Sequence, residues 1–285
     1  MDDSGGFGAA PPPPPPPSAG GGGQVSPKGV GQIYTDAFEL YKANAAKLFT
    51  IVAIVVVPLS LLSALFTYVV FKGSETTSVV LGEEVTVTTR SFGITLLASL
   101  VAAAIAVIIS ALLQAAIIRG AALASVGDPL DVDASYRYGF RRFGSVILVS
   151  ILVGLCVGIG FIFLIIPGLI LLVMFSVAIP SLVVEDRRGT DAMSRSWNLV
   201  KGHFWHVVGV IVVGWLISIV VGLVFGAIGA AIGDLWLLRW IFDMIAQILI
   251  APFIALVTVM LYVDLRARGE ALTGDTLRQE LASNA

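Results

Sequence analysis

The sequence predicts an all-α polytopic membrane protein: a helical bundle of six transmembrane helices with cytoplasmic amphipathic helices and a threefold internal repeat. Three observations carry this reading. Apolar residues make up 57% of the chain and charged residues 13%, with a mean hydropathy of +0.96. A soluble domain carries about 45–50% apolar and about 25% charged residues, so a water-soluble globule is excluded. The apolar residues fall in stretches of membrane-crossing length, and Lys and Arg alternate between the sides that those crossings define. The net charge is only −2, from 17 Lys and Arg against 19 Asp and Glu, which implies no nucleic acid partner. The single cysteine, Cys156, excludes an intramolecular disulfide and a Cys-based zinc site.

Residues 1–27 read as a disordered cytoplasmic tail. Pro11 to Pro17 are uninterrupted and Gly20 to Gly23 follow. Polyproline lacks the amide donors a helix needs and forms a polyproline II rod. Such a rod serves as a solvated spacer or as a docking site for a proline-reading domain. The tail lacks the charged start and apolar core of a signal peptide.

Residues 28–270 read as the membrane domain. A crossing helix needs about 20 predominantly apolar residues. The predicted spans are Leu48–Phe71, Ile94–Ile118, Ser145–Ile165, Leu169–Val184, Trp205–Phe225 and Met244–Val263. The uncharged run Val146–Val184 is too long for one helix, and Ile165-Ile166-Pro167-Gly168 is its natural break, proline ending one helix and glycine permitting the reversal. Because the fourth span is short, a re-entrant pair is the alternative. Between the first two spans, the loop 72–93 is β-branched around a glycine from Ser78 to Thr88 and reads as an extracellular hairpin. Residues 271–285 form a cytoplasmic C-terminal tail.

Basic residues fix the orientation. Lys28, Lys42 and Lys47 precede the first span. Arg119, Arg137, Arg141 and Arg142 lie between the second and third, and Arg187, Arg188, Arg195 and Lys201 between the fourth and fifth. Arg266, Arg268 and Arg278 follow the sixth, whereas the other side holds only Lys72, Arg90 and Arg239. Cytoplasmic loops retain Lys and Arg, so both termini are expected in the cytoplasm, with the chain in the plasma membrane.

Three of the basic segments look alike. Thr35-Asp36-Ala37-Phe38, Val132-Asp133-Ala134-Ser135 and Thr190-Asp191-Ala192-Met193 each lead through mixed aromatic and basic residues into a span. Their apolar residues recur at helical spacing, as in Met193, Trp197, Val200 and Phe204, with Lys or Arg on another face. A helix of that kind lies in the headgroup plane, with each acid in its first turn favoured by the helix dipole. Arg137, Arg141, Arg142, Arg187, Arg188, Arg195 and Lys201 are the resulting lipid-headgroup candidates. A unit of one interfacial helix and two spans, used three times, leaves either a packed bundle or a cavity at the repeat interface.

The stretches Ile166-Pro167-Gly168-Leu169 through Pro180-Ser181-Leu182-Val183-Val184-Glu185 and Asp191-Ala192-Met193-Ser194-Arg195-Ser196-Trp197-Asn198-Leu199-Val200-Lys201-Gly202 resemble a known family, the membrane domain associated with glycerophosphoryl diester phosphodiesterases. Leu261-Tyr262-Val263-Asp264-Leu265-Arg266-Ala267-Arg268-Gly269-Glu270 resembles the end of such domains. The resemblance covers most of Val30–Leu281. It implies a Pro-Gly hairpin, a spanning helix ending in a carboxylate, and a stand-alone membrane domain. Some members carry a fused catalytic barrel of about 250 residues; no room for one remains here, so the resemblance does not imply phosphodiesterase activity.

The residues that could carry chemistry are few. His203 and His206 lie on one helical face, but zinc needs a third ligand, and the intervening Trp205 suggests a headgroup-level belt instead. Arg239, Asp243 and Gln247 share a face of the sixth span, the first two as an outer-surface ion pair. Gln114, Asp243 and Gln247 are the polar intramembrane candidates. Gly154-x3-Gly158, Gly222-x3-Gly226 and Gly229-x3-Gly233 suit close helix approach, and Pro58, Pro180 and Pro252 predict kinks. With no phosphate loop, nucleophile elbow or His-Glu-x-x-His, no catalytic, cofactor or metal site is expected. The predicted function is that of a non-enzymatic integral membrane protein, a scaffold or lipid-facing accessory whose partners are membrane phospholipid and another membrane protein. The alternative is a transporter or lipid translocator working at the repeat interface.

Overall fold

The computed structural model describes residues 24–72, 75–80, 83–88, 110, 113–231, 236–270 and 272–284. Most of the N-terminal tail and residues 94–109 of the second predicted span lie outside the described residues, as do the side chains of Arg239 and Asp243. The described chain is overwhelmingly helical. In order it forms α1 (Val30–Lys72), β1 (Glu75–Val80), β2 (Glu83–Thr88), α2 (Leu113–Ser125), α3 (Val132–Phe163), α4 (Ile165–Met174), α5 (Ala178–Glu185), α6 (Thr190–Val200), α7 (Phe204–Ala231), α8 (Trp236–Gly269) and α9 (Gly274–Ser283). Five stretches are long and apolar enough to cross a membrane: Val30–Leu61, Val132–Phe163, Ile165–Glu185, Phe204–Gly229 and Trp240–Gly269.

The first two amphipathic segments are not separate interfacial helices. Helix α1 runs unbroken for 43 residues, from the amphipathic segment through the first span. The junction Lys42-Ala43-Asn44-Ala45-Ala46-Lys47 is rich in strong helix formers and holds neither Gly nor Pro, so nothing stops the helix there. Ile33 and Ala37 are buried in the same core as Leu48 and Ile51. Asp36 therefore lies beyond the first turn of α1, whereas Asp133 and Asp191 do sit in the first turns of α3 and α6. Helix α3 is capped by Asp131, whose side chain accepts from the N–H groups of Asp133 (2.9 Å) and Ala134 (3.3 Å), and it too continues into a span. Only α6 stands alone, ended before the turn at Lys201-Gly202. The three proposed units are thus built differently.

The reversal between α3 and α4 falls at the predicted place by a different device. Leu164 is extended (φ −163°, ψ 150°), and Pro167 sits in the first turn of α4, where its missing N–H costs nothing. Gly168 provides closeness rather than a special φ: a Cβ there would lie 2.5 Å from the Phe161 ring. Pro180 likewise begins α5 rather than kinking a longer helix, because α4 and α5 are separated at Phe175–Val177. Among the described residues Gly154, Gly158, Gly222 and Gly226 mark no tight crossing, since a Cβ at any of them would meet nothing within 4 Å.

β1 and β2 pair antiparallel from Glu75↔Thr88 to Val80↔Glu83, which is the predicted hairpin. The C-terminal segment is not a loose tail: α9 buries Leu277 and Leu281. The N-terminal boundary moves as well, because the Val25 N–H donates to Leu272 O (2.9 Å) and Gln24 bridges Thr273.

Helix α8 packs along α1 and α7, while α3 and α4 form a second antiparallel pair. Tyr262, Leu48, Ile51, Leu256 and Leu261 are among the largest fully buried side chains. The helix ends share one pole of the bundle. There the Lys28 N–H donates to Asp264 Oδ1 (2.6 Å), Arg119 Nη2 to Leu281 O (2.6 Å), Tyr138 Oη to Val183 O (3.0 Å) and Asn284 Nδ2 to Val184 O (2.7 Å). These bonds gather the start of α1, the middle of α2, the ends of α5 and α8, the start of α3, and α9. Away from this pole, large apolar side chains such as Leu155, Ile159, Ile219 and Leu223 (67% exposed) face outward. A belt of that size has no place in water and suits hydrocarbon.

Candidate functional site

The charged pole is built from α5, α6, the end of α8 and α9. Glu185 ends α5, Arg195 lies in α6, and Tyr262 and Arg266 lie one turn apart on α8. Tyr262 Oη donates to Glu185 Oε1 (2.6 Å), and Arg195 Nε reaches Glu185 Oε1 and Oε2 (2.8 and 2.9 Å). Arg195 Nη2 lies 2.5 Å from Glu270 Oε1. Arg266 grips Glu280 of α9 with both terminal nitrogens (2.6 and 3.0 Å) and donates from Nε to Glu270 Oε2 (3.1 Å). The side chains of Glu185 and Arg266 are only 8% and 6% exposed. Buried charges are tolerable only when paired and fully hydrogen-bonded, and here each has several partners.

The surroundings act on the titrating groups accordingly. Burial disfavours the charged form of Arg195, but the hydrogen bonds and charges of Glu185 and Glu270 outweigh it and raise the guanidinium above its ordinary value. Burial pushes the Glu270 carboxyl up, but Arg195 and Arg266 outweigh that and hold it below the usual carboxylate range.

A second cluster flanks the first. Asp264 is wholly buried, yet it accepts from the Lys28 N–H (2.6 Å) and Arg268 Nε (2.8 Å). His206 Nε2 lies 3.0 Å from Asp264 Oδ2 but is not aligned for a hydrogen bond to it. Arg268 Nη2 donates to Lys28 O (2.6 Å), and Lys28 Nζ pairs with Asp36 (2.6 Å). Trp205, beside His206, is exposed. Among the described residues no group of three His, Cys, Asp or Glu is placed to hold a metal ion.

Most of the predicted headgroup residues have acidic partners within the protein. Arg142 pairs with Asp186 (3.0 Å), Arg188 with Asp186 (3.2 Å), Arg187 with Glu185 (3.4 Å), and Arg137 with Asp133 (3.2 Å). Arg195 is held between Glu185 and Glu270, and Lys201 Nζ donates to Asn198 Oδ1 (3.0 Å). Arg141 is exposed on α3. Arg187 and Arg188 keep half of their side-chain surface open and border a polar depression of about 550 Å³ with Asp191 and Asn284.

The residues that organise this pole, Glu185, Tyr262, Asp264, Arg266, Glu270 and Glu280, were not among the predicted site residues. A signal existed for some of them: Tyr262, Arg266 and Glu270 recur every four residues, the first two on one face of α8 and the third just past its end. Glu280 lies on a helix that the sequence pattern did not suggest.

Deeper in the bundle is a cleft of about 850 Å³, reached by α1, α2, α3, α4, α5, α7 and α8. Its walls are mainly apolar, with Val153, Leu172, Val210, Trp215 and Ile254 typical of them. Gln114 lines it, whereas the exposed Gln247 does not. Several lining hydroxyls are bonded inside the protein. Tyr34 Oη donates to Val210 O (2.7 Å), Ser218 to Gly214 O (2.9 Å) and Thr258 to Ile254 O (2.7 Å). Ser150 Oγ and Ser176 Oγ are buried and find no partner among the described residues.

No curated protein and no solved structure matches this chain. The sequence profile of a family described as Domain of unknown function (DUF7847) matches residues 30–265. That match runs from the start of α1 to just past Asp264, and on this basis the chain belongs to the DUF7847 family.

Proposed function

We propose that the chain is a non-enzymatic integral membrane protein that holds membrane phospholipid, acting as a scaffold or lipid-facing accessory. It crosses the plasma membrane six times with both termini in the cytoplasm. The observation that carries this reading is the division of the surface. One pole gathers the charges and helix ends into ion-paired clusters, and the long helices beyond it present bare apolar side chains.

Parity supports six crossings. The start of α1 and the end of α8 meet at Lys28 and Asp264, so the chain returns to the side on which it began. Five stretches are long and apolar enough to cross, and a sixth makes the number even. Helix α2, which reaches the same pole through Arg119, belongs to that crossing. The excess of Lys and Arg at this pole makes it the cytoplasmic one. Kinship with the membrane domains associated with glycerophosphoryl diester phosphodiesterases is part of the same reading, supported by the meeting of Glu185, Arg195 and Tyr262 from the resembling stretches.

Native mass spectrometry tests the reading. Protein released from nanodiscs of phosphatidylcholine and phosphatidylglycerol should carry retained phospholipid. Bare protein under conditions that preserve its fold would count against it. The cleft favours one alternative, a transporter or lipid translocator, but among the described residues its lining holds no acidic or basic side chain. A charged or strongly polar substrate would be poorly solvated there.

A further inference from the structure

We propose that the cleft between α3, α4, α5, α7 and α8 seats one acyl chain of a bilayer glycerolipid, with the ester carbonyl of that chain accepting from the hydroxyls of Ser150 and Ser176. This inference rests on the lipid-holding reading and names its site. The cleft lies among helices that are long and apolar enough to cross a membrane, so the bilayer itself supplies the occupant. Its volume, about 850 Å³, falls within the range of about 300–1,000 Å³ typical of small-molecule sites. Its wall is open at Gly154, where a Cβ would meet nothing within 4 Å, and tight at Gly214, where a Cβ would lie 2.9 Å from the Tyr34 hydroxyl.

The polar chemistry selects the ligand class. Among the described lining residues none is ionisable except Tyr34, whose hydroxyl is engaged with Val210 O, so neither a phosphate nor an ammonium group is matched. Ser218 and Thr258 spend their hydroxyl protons on carbonyls of their own helices. Ser150 and Ser176 have no such partner among the described residues, so each leaves a buried hydroxyl donor in a residue that lines the cleft. An ester carbonyl accepts and cannot donate, which complements two hydroxyl donors in an apolar wall.

The test uses the full chain in nanodiscs of phosphatidylcholine carrying a diazirine on one acyl chain, with irradiation and residue-level mapping of the adducts. Adducts are expected on the cleft residues Val157, Leu172 and Ile254 as well as on the outer residues Leu155 and Leu223. Ala251→Phe and Ser218→Phe, which fill the cleft from two different helices, should each abolish the cleft adducts and leave the outer ones. An ether-linked analogue of the probe should label the cleft less than the ester, and Ser150→Ala with Ser176→Ala should erase that preference. Outer adducts without cleft adducts, cleft adducts that survive both filling variants, or equal labelling by ester and ether would overturn the inference while leaving the lipid-holding reading intact. Loss of all retained phospholipid in native mass spectrometry would overturn that reading itself.

Discussion

Glu185 and Tyr262, 77 residues apart in sequence, share a 2.6 Å hydrogen bond at the pole where the helix ends converge. Glu185 ends the crossing pair α4–α5, and Tyr262 is fully buried near the end of α8. Around this bond Arg195 and Arg266 bring in α6 and α9. The bond therefore marks a cap in which a span end, a short surface helix and the C-terminal helix hold one another.

The cap should depend on Arg266. Removing one partner of a buried ion pair costs about 3–5 kcal/mol, because the remaining charges are left uncompensated. Arg266→Met should lower the thermal midpoint of the detergent-solubilised protein sharply. Adding Glu280→Leu should recover part of the loss, since it removes one of the stranded carboxylates. Differential scanning fluorimetry of the single and double variants reads both effects, and an unchanged midpoint in Arg266→Met would show that the network contributes nothing.

Acid should loosen the same cap. Glu270 is held below its ordinary value in the folded chain, so its contribution is present above the unfolded pKa of about 4.3 and is lost as pH falls through the lower folded value. Native-state hydrogen exchange should show earlier opening of α9 as pH drops below that point. Glu270→Gln should flatten the pH dependence, and a variant that retains the full slope would remove Glu270 from the account.

Packing at the α3–α4 hairpin gives a sharper mutational contrast. A Cβ at Gly160 would sit 2.9 Å from Leu171 Cδ1 and 3.0 Å from Gly168 Cα, whereas one at Gly154 meets nothing within 4 Å. Overpacking typically costs about 1–3 kcal/mol, so Gly160→Ala should destabilise and Gly154→Ala should not. Equal midpoints for the two variants would contradict the close approach seen at Gly168.

Much of this architecture was legible in the sequence, because composition and run length report directly on the solvent a helix faces. The hairpin at β1–β2 and the break near Pro167 follow from local rules that tertiary contacts left in place. The continuity of α1 was missed because a change of polarity near Lys47 looks like a boundary, although Ala43, Ala45 and Ala46 let the helix run through it. The cap was missed for a different reason. Ion pairs such as Arg266 with Glu280 join residues whose spacing carries no periodic signature, and basic residues near spans already have an explanation in topology. The cleft was open to expectation as a repeat interface, but Ser150 and Ser176 are ordinary serines until their partners are counted.

Topology can be checked with single cysteines in a Cys156→Ser background. Ser78→Cys on β1 should react with an impermeant maleimide added outside intact cells, while Asp131→Cys, Asp191→Cys and Ser283→Cys should not. Ser135 is unsuitable as a reporter because it is fully buried. Labelling of Asp131→Cys or Asp191→Cys from outside would break the six-crossing arrangement.

The central claim is that the protein holds lipid and does not move it. The most direct measurement is a dithionite quenching assay on proteoliposomes containing a fluorescent phosphatidylcholine. Dithionite destroys only outer-leaflet fluorescence, so a protein that holds lipid in place should leave the same protected fraction as protein-free vesicles. Quenching that proceeds well beyond that level, in proportion to the protein reconstituted, would contradict the account and establish a translocator.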